Sequence, residues 1–130
     1  MKKKSSSSAA PFAYEGLDRV IHERARLSVL TSLMTHADGL SFVELKQLCG
    51  LTDGNLARHL QVLEEEKMVR LTKEEADEGR VQTTVRVTAS GRKRYLEYLT
   101  ILEQVVRDAA GAEAQGDEES FRRKLTPASA

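Results

Sequence analysis

The sequence predicts a mainly helical α+β fold because of three patterns along the chain. Apolar residues recur at spacings of three and four over long stretches, as they do in amphipathic helices. Two of the predicted helices are separated only by a short turn that contains Gly50. A later stretch, Val81 to Thr88, alternates Val81, Thr83, Val85 and Val87 with the period of a half-buried strand.

Length and charge limit the classes of protein that fit. The chain has 130 residues, which is room for one domain with a modest core and two tails. Twenty lysines and arginines balance 20 aspartates and glutamates, and this balance argues against a protein that coats nucleic acid indiscriminately. The single cysteine, Cys49, cannot form an internal disulfide, so we expect a cytoplasmic protein. No apolar run approaches the roughly 18–20 residues that cross a bilayer, and we expect no membrane partner.

The two ends of the chain differ in composition from its middle. Residues 1–12 are rich in lysine and serine and are expected to form a flexible arm. Residues 111–130 are rich in glycine, alanine and glutamate and are expected to form a flexible tail. Residues 13–110 are left as the folded domain. Lys2–Lys4 can either lie along DNA or remain solvated, and the solvated arm is the simpler interpretation.

The first two helices are predicted from apolar spacing and from a capping pattern. Apolar residues from Leu17 to Met34 predict the first helix, which a turn signal at Thr35–Gly39 ends. Ser41 and Glu44 have the spacing of a capping box at the start of the second helix. Its buried side is expected to hold Val43, Leu45 and Leu48.

The third helix follows the second almost directly. Gly50 can end the second helix in the left-handed conformation, and Thr52 can cap the third, which is expected from Asp53 to about Lys67. Residues 41–67 thus predict a helix-turn-helix. Its third helix would bury Leu56, Leu60 and Leu63 along one narrow face.

A hairpin and a long helix complete the domain. Met68 to Lys73 and Val81 to Thr88 are expected to pair as strands, with a polar loop between them. Residues 68–88 are called the wing below. A last helix, capped by Thr88, is expected over residues 89–110. The order of these elements predicts a winged helix-turn-helix domain with a C-terminal helix for dimerisation.

The last helix has apolar residues on more than one side, so one stripe can pack on its own domain and another on a second copy. We expect a two-fold dimer joined by the first and last helices, which reads half-sites about 34–36 Å apart. The alternative is that the helix folds back on its own core. The residues expected in the dimer are Tyr95, Tyr98, Leu99, Leu102, Val105 and Val106.

The third helix has a polar face opposite its leucines. Arg58 can donate twice to guanine, and Asn55 or Gln61 can pair with adenine. Gly54 lets the start of the helix approach DNA closely, and Thr52 with free backbone amides can hold a phosphate. A polar outer face is normal on any soluble helix, but in a helix-turn-helix followed by a hairpin it favours DNA recognition.

The wing is less favourable for contact with DNA. Lys73, Arg80 and Arg86 can contact phosphates, but four acidic residues lie between positions 74 and 78. The predicted DNA-binding residues of helix and wing are Thr52, Gly54, Asn55, Arg58, His59, Gln61, Lys73 and Arg80.

Several segments also resemble a known family. They are Leu17–His22, Ser41–Lys46, Leu51–Leu60, Leu63–Lys67 and Thr88–Arg92, the last matching an "LT-x-x-GR" motif except that Val87 stands where leucine is common. Over about residues 12–106 the chain strongly resembles small prokaryotic winged-helix regulators, similar to the MarR and ArsR groups of dimeric repressors. The resemblance implies a dimer whose third helices enter successive major grooves while the wings touch the flanking backbone. A transcriptional regulator, most simply a repressor, is therefore expected.

Other functions have little support in the sequence. The three histidines lie on separate elements with no nucleophile motif, so we expect the protein not to be an enzyme. Because Cys49 has no second cysteine beside it, we also expect no metal site and no cofactor. Cys49 is either a small buried hydrophobe or, less simply, a redox sensor. No effector pocket is indicated. The competing interpretation is a winged helix that docks on another protein, which would not need an electropositive surface around Thr52, Asn55, Arg58 and Arg80.

Overall fold

The computed structural model describes residues 10–114. Within that range it contains four α-helices and one three-stranded antiparallel sheet, and it confirms the mainly helical winged-helix class. The helices are α1 (Arg24–Met34), α2 (Phe42–Cys49), α3 (Asp53–Glu65) and α4 (Ala89–Ala114), and the strands are β1 (Leu40–Ser41), β2 (Val69–Glu75) and β3 (Val81–Val87). Most of the predicted arm and tail lies outside the described residues.

The chain divides into two compact units. One unit, Asp18–Tyr98, holds the helix-turn-helix and the wing. The other unit, in its described part, combines residues 10–17 with the end of α4 from Leu99 onward. No helix in the part of the chain that the structure describes is both long enough and apolar enough to span a membrane.

Helix α1 begins seven residues later than predicted. Residues 17–23 form turns because the Asp18 carboxylate accepts hydrogen bonds from the amides of Val20 (2.9 Å) and Ile21 (3.4 Å). Such local bonds compete with the helical pattern. Glu23 then caps α1 by accepting from the amide of Arg26. Ile21 is nevertheless completely buried. The apolar spacing in this segment therefore indicated which residues are buried, although the segment is not helical.

Helix α2 turns a different side inward from the one predicted. Leu45 is completely buried, but Val43 and Leu48 are 55% and 57% exposed. The inward side is Phe42, Leu45 and Cys49, whose spacings of three and four place them on one face. The predicted burial of Val43 and Leu48 is therefore wrong, because a short helix with several apolar residues fits more than one inward face.

The sheet has the strand order β1–β3–β2. The predicted hairpin is confirmed, with Val69 opposite Val87 at its base and Glu75 opposite Val81 near its tip. Strand β1 was not predicted; its two residues, Leu40 and Ser41, pair with Val85 and Thr84. Ser41 is thus both a strand residue and the N-cap of α2, where it forms the predicted capping box with Glu44.

The start of α4 crosses the start of β2 at very short range. A Cβ added to Gly91 would overlap the carbonyl oxygen of Met68, so a side chain there requires the two segments to move apart. The Thr88 hydroxyl accepts from the amide of Gly91 (2.9 Å), as the predicted cap requires, and donates to the carbonyl oxygen of Lys67 (2.8 Å). Helix α4 therefore begins as predicted, but it extends to Ala114 instead of about residue 110.

The core of the larger unit collects the apolar faces of α1, α3 and β3 and the inward residues beside them. Its fully buried side chains are Ile21, Val29, Leu30, Leu33, Leu45, Leu56, Leu60, Leu63, Met68, Val85 and Tyr98. The three leucines of α3 are among them, which confirms the predicted inner face of that helix. This arrangement leaves the opposite face of α3 outside.

Candidate nucleic-acid interface

A tight turn joins α2 to α3 and fixes where α3 starts. Gly50 adopts the left-handed conformation (φ 65°), and its amide and that of Leu51 both donate to the carbonyl oxygen of Lys46. The Thr52 hydroxyl accepts from the amide of Asn55 at 3.1 Å and caps α3. The predicted turn and cap are thus present, and together they fix the first turn of α3.

The outer face of α3 carries the polar residues that the helical wheel predicted. Gly54, Asn55, Arg58 and Gln61 are all exposed, whereas Leu56, Leu60 and Leu63 are at most 1% exposed. A Cβ added to Gly54 would meet nothing within 4 Å, so the space beside the start of the helix is open. This face presents a guanidinium and two amides to solvent on a helix whose other side is fixed in the core.

Gln61 makes one contact along the helix. Its Nε2 donates to Oε2 of Glu65 at 3.4 Å, which is a long bond between exposed side chains. The bond uses one of the two hydrogens of the amide nitrogen, so Gln61 keeps one donor and its carbonyl oxygen as an acceptor. Arg58 and Asn55 carry further donors on the same face.

His59 lies apart from this face. Its side chain is only 12% exposed, and its Nδ1 is 3.2 Å from Nη1 of Arg26 and 3.8 Å from Oε1 of Glu23. A guanidinium can only donate, so Nδ1 of His59 is the acceptor of this hydrogen bond. The contact joins α3 to α1. Sequence reasoning missed this contact because Arg26 and His59 are 33 positions apart and no local pattern connects them.

The wing carries fewer available cations than its sequence suggests. Arg86 is paired with Glu74 across the hairpin, with 2.7 Å between Nη1 and Oε2, and this pairing holds the pKa of Glu74 below its usual value. Lys73 and Arg80 are exposed, but they share the outer part of the wing with Glu75, Asp77 and Glu78. These neighbouring positive and negative charges partly cancel, so the electrostatic field at the tip of the wing is weak.

One arginine ties three segments of the larger unit together. Arg94 of α4 donates to both carboxylate oxygens of Asp18, with Nε 2.5 Å from Oδ2, and its Nη1 donates to Glu66 at 2.9 Å. Burial raises the pKa of Asp18, but the hydrogen bonds from Arg94 and the nearby backbone amides outweigh it, and the pKa falls below its usual value. Glu66 caps the C-terminal end of α3, so Arg94 fixes the end of α3 opposite to Thr52.

The predicted dimerisation residues divide into two groups. Tyr95 and Tyr98 are buried in the larger unit, where their hydroxyls lie 2.7 Å from Oγ1 of Thr31 and 2.6 Å from Nδ1 of His22. Leu99 and Val106 are 36% and 45% exposed, and between them lie the half-buried Leu102 and Val105. Leu99 and Val106 therefore lie on an exposed apolar side of α4, and Leu96, three residues before Leu99, is 49% exposed.

The smaller unit places the segment before α1 against the end of α4. The Tyr14 hydroxyl donates to Oδ2 of Asp108 at 2.5 Å. A Cβ added to Gly16 would lie 2.9 Å from Cγ1 of Ile101, so this segment passes close to the helix. These contacts occupy the side of α4 that carries Ile101 and Asp108.

Comparisons with known proteins agree with this architecture. The family model described as a winged helix DNA-binding domain matches residues 25–106. An uncharacterized protein of Methanocaldococcus jannaschii is 36% identical over 84 residues, which is 62% of this chain and 86% of that protein.

Two solved structures show the same fold at lower identity. A transcriptional regulator homologue from Pyrococcus horikoshii OT3 is 24% identical with a TM-score of 0.65, and the match covers 82% of this chain and 98% of that one. S. aureus MepR, solved in complex with DNA, is 20% identical with a TM-score of 0.66, over 94% of this chain and 90% of that one. The chain thus belongs to the winged helix DNA-binding domain family, and its fold is that of known transcriptional regulators.

Proposed function

We propose that this protein binds duplex DNA sequence-specifically as a homodimer and represses transcription. The observation that carries the proposal is the exposed face of α3, where Arg58, Asn55 and Gln61 stand opposite three buried leucines. An α-helix fits the major groove of B-form DNA, and these side chains carry the donors and acceptors that distinguish base pairs there.

The start of α3 supports the same proposal. Thr52 ends the turn at an exposed position, and the first amides of the helix carry partial positive charge. Such a terminus suits a backbone phosphate and would fix the register of the helix in the groove. Lys73 and Arg80 add contacts to the flanking backbone, weakened by the acidic residues around them. In the related fold of S. aureus MepR, a complex with DNA is known.

Repression follows most simply from occupancy. A dimer on a promoter excludes other proteins from it without needing a further activity, and a protein with this role would act in the cytoplasm. The competing function is docking on another protein. The acidic residues of the wing slightly favour docking on another protein. Docking, however, gives no reason for the guanidinium and the two amides on the outer face of α3.

The first experiment is fluorescence anisotropy on two duplexes, one from upstream of the protein's own coding sequence and one of the same composition in scrambled order. We expect selective binding whose logarithm falls linearly with the logarithm of the salt concentration. A second arm selects bound sequences from a random duplex pool. Equal, weak binding to both duplexes, together with no enrichment from the pool, would contradict DNA recognition and favour the docking module.

Dimerisation has its own test on α4. Val106 is 45% exposed on the apolar side of the helix, and we expect Val106→Asp to convert a dimer into a monomer in sedimentation at micromolar concentration, because a carboxylate would be buried unpaired in the interface. The matched control is Val81→Asp, the same change at a 63% exposed position of the wing. A wild-type chain that sediments only as a monomer would contradict the dimer.

A further inference from the structure

An ion pair spans the turn between α2 and α3. Nζ of Lys46 lies 2.8 Å from Oδ1 of Asp53. Lys46 belongs to the last turn of α2, and Asp53 is the first residue of α3. The Lys46 side chain is 35% exposed and that of Asp53 is 74% exposed, so the pair lies at the surface beside the start of α3.

The backbone of the turn sets the position of both partners. The carbonyl oxygen of Lys46 accepts from the amides of Gly50 and Leu51, which fixes the point where the lysine side chain starts. Asp53 directly follows Thr52, whose hydroxyl and carbonyl oxygens hold the amides of Asn55 and Leu56. The ammonium and the carboxylate therefore meet because of the geometry of the turn, and the cap of α3 does not depend on Asp53.

The pair changes the charge that a nearby phosphate would experience. Alone, the Lys46 ammonium would attract the DNA backbone, and alone the Asp53 carboxylate would repel it. The two opposite charges are only 2.8 Å apart, so their fields largely cancel at distances greater than this separation. As long as the pair is closed, neither residue adds to the attraction between α3 and DNA.

We propose that Asp53 withholds the Lys46 ammonium from the DNA backbone and so lowers the affinity for duplex DNA of any sequence. The inference rests on the proposed function, because it requires the start of α3 to lie against phosphates. Phosphate contacts carry no sequence information, so release of Lys46 strengthens binding equally on all duplexes. The base-reading face around Arg58 is unaffected. The balanced charge of the chain fits a protein that limits its general attraction to DNA.

The test uses the full-length chain with the variants Asp53→Asn and Asp53→Asn/Lys46→Met. The asparagine cannot hold the ammonium as an ion pair, so we expect Asp53→Asn to bind both the selected and the scrambled duplex about tenfold more tightly at low salt. Its plot of log affinity against log salt should steepen by about 0.9, the effect of one added phosphate contact. The double variant should return both quantities to the wild-type values, because the released lysine is then absent.

Two controls accompany these variants. Glu64→Gln removes a carboxylate near the other end of α3 and is expected to leave affinity and salt slope unchanged. Thermal unfolding tests whether each variant is folded. If Asp53→Asn is not folded, Asp53→Ser takes its place.

Three results would overturn the inference. Unchanged affinity in Asp53→Asn would show that the pair does not influence DNA binding. A gain that persists in the double variant would show that the carboxylate acts by itself. A change confined to the selected duplex would show that Asp53 contacts a base. If the wild-type chain binds neither duplex and selects none, the proposed function fails first, and that outcome is distinct from these three.

Discussion

Helix α3 and the wing are held in place very differently. Helix α3 rests on three fully buried leucines, is capped at Thr52 and is tied at its other end through Glu66 to Arg94. In the outer part of the wing, residues 73–83, no side chain is buried, and the hairpin is held by its own ladder and by the pair of Arg86 with Glu74. Base reading requires fixed donors and acceptors, whereas phosphate contacts tolerate movement. Under the proposed function, we therefore expect sequence recognition from α3 and only backbone contact from the wing.

The largest expected effect is on stability and comes from the inner face of α3. Leu60 is 1% exposed, and Leu60→Ala should lower the free energy of unfolding by about 2–5 kcal/mol because it removes buried apolar contacts and leaves a cavity. Val81→Ala is the matched change in the wing, where 63% exposure predicts a change within about 0.5 kcal/mol. Urea unfolding measures both. Equal losses would show that the wing is anchored as firmly as α3.

An intermediate effect is expected on DNA specificity. Arg58→Ala should lose about 1–3 kcal/mol of discrimination between the selected and the scrambled duplex, because a donor to base edges is gone. Arg80→Ala should weaken binding to both duplexes by the same factor and reduce the salt slope by at most about 0.9. Arg24→Ala, an exposed arginine on α1, controls for loss of charge. If Arg80→Ala relaxed specificity more than Arg58→Ala, the assignment of roles to helix and wing would be reversed.

The smallest expected effect concerns the clamp at the end of α3 and its dependence on pH. The pKa of Asp18 in the folded protein is lowered, so its carboxylate stabilises the fold above the unfolded-state pKa of about 4. This stabilisation is lost as the pH falls through the lowered folded-state pKa. Asp18→Asn should therefore cost about 1 kcal/mol at pH 7, and the difference from wild type should shrink as the medium is acidified below about pH 4. A difference that stayed constant down to pH 2 would rule out the ion pair as its cause.

Local chemistry made the helix-turn-helix predictable from sequence. The capping box of Ser41 and Glu44, the left-handed Gly50 and the cap at Thr52 depend on residues within a few positions of one another, and all are present in the structure. The buried leucines of α3 were predictable for the same reason, because their spacing places them on one narrow face of a 13-residue helix whose opposite face is polar.

Features that depend on distant partners were not predictable. Strand β1 exists only because Leu40 and Ser41 meet β3, more than forty residues later in the chain. The pairing of Arg86 with Glu74 depends on the register of the hairpin, and the sequence therefore suggested one more free cation in the wing than the structure provides. Tyr95 and Tyr98 belong to the same helical pattern of apolar residues as Leu99 and Val106. Periodicity alone cannot distinguish a residue that packs within its own protomer from one that is available to a second copy.

The double role of Ser41 limits how far the domain can be taken apart. Because this residue both pairs with Thr84 of β3 and begins α2, deletion of the whole hairpin would also remove the support under the first helix of the helix-turn-helix. The ladder beyond Thr72 and Thr84 has no such attachment to β1. The acidic tip can therefore be replaced with another loop at the pair formed by Thr72 and Thr84. Grafting the helix-turn-helix alone into another scaffold would instead require a new strand in place of β3.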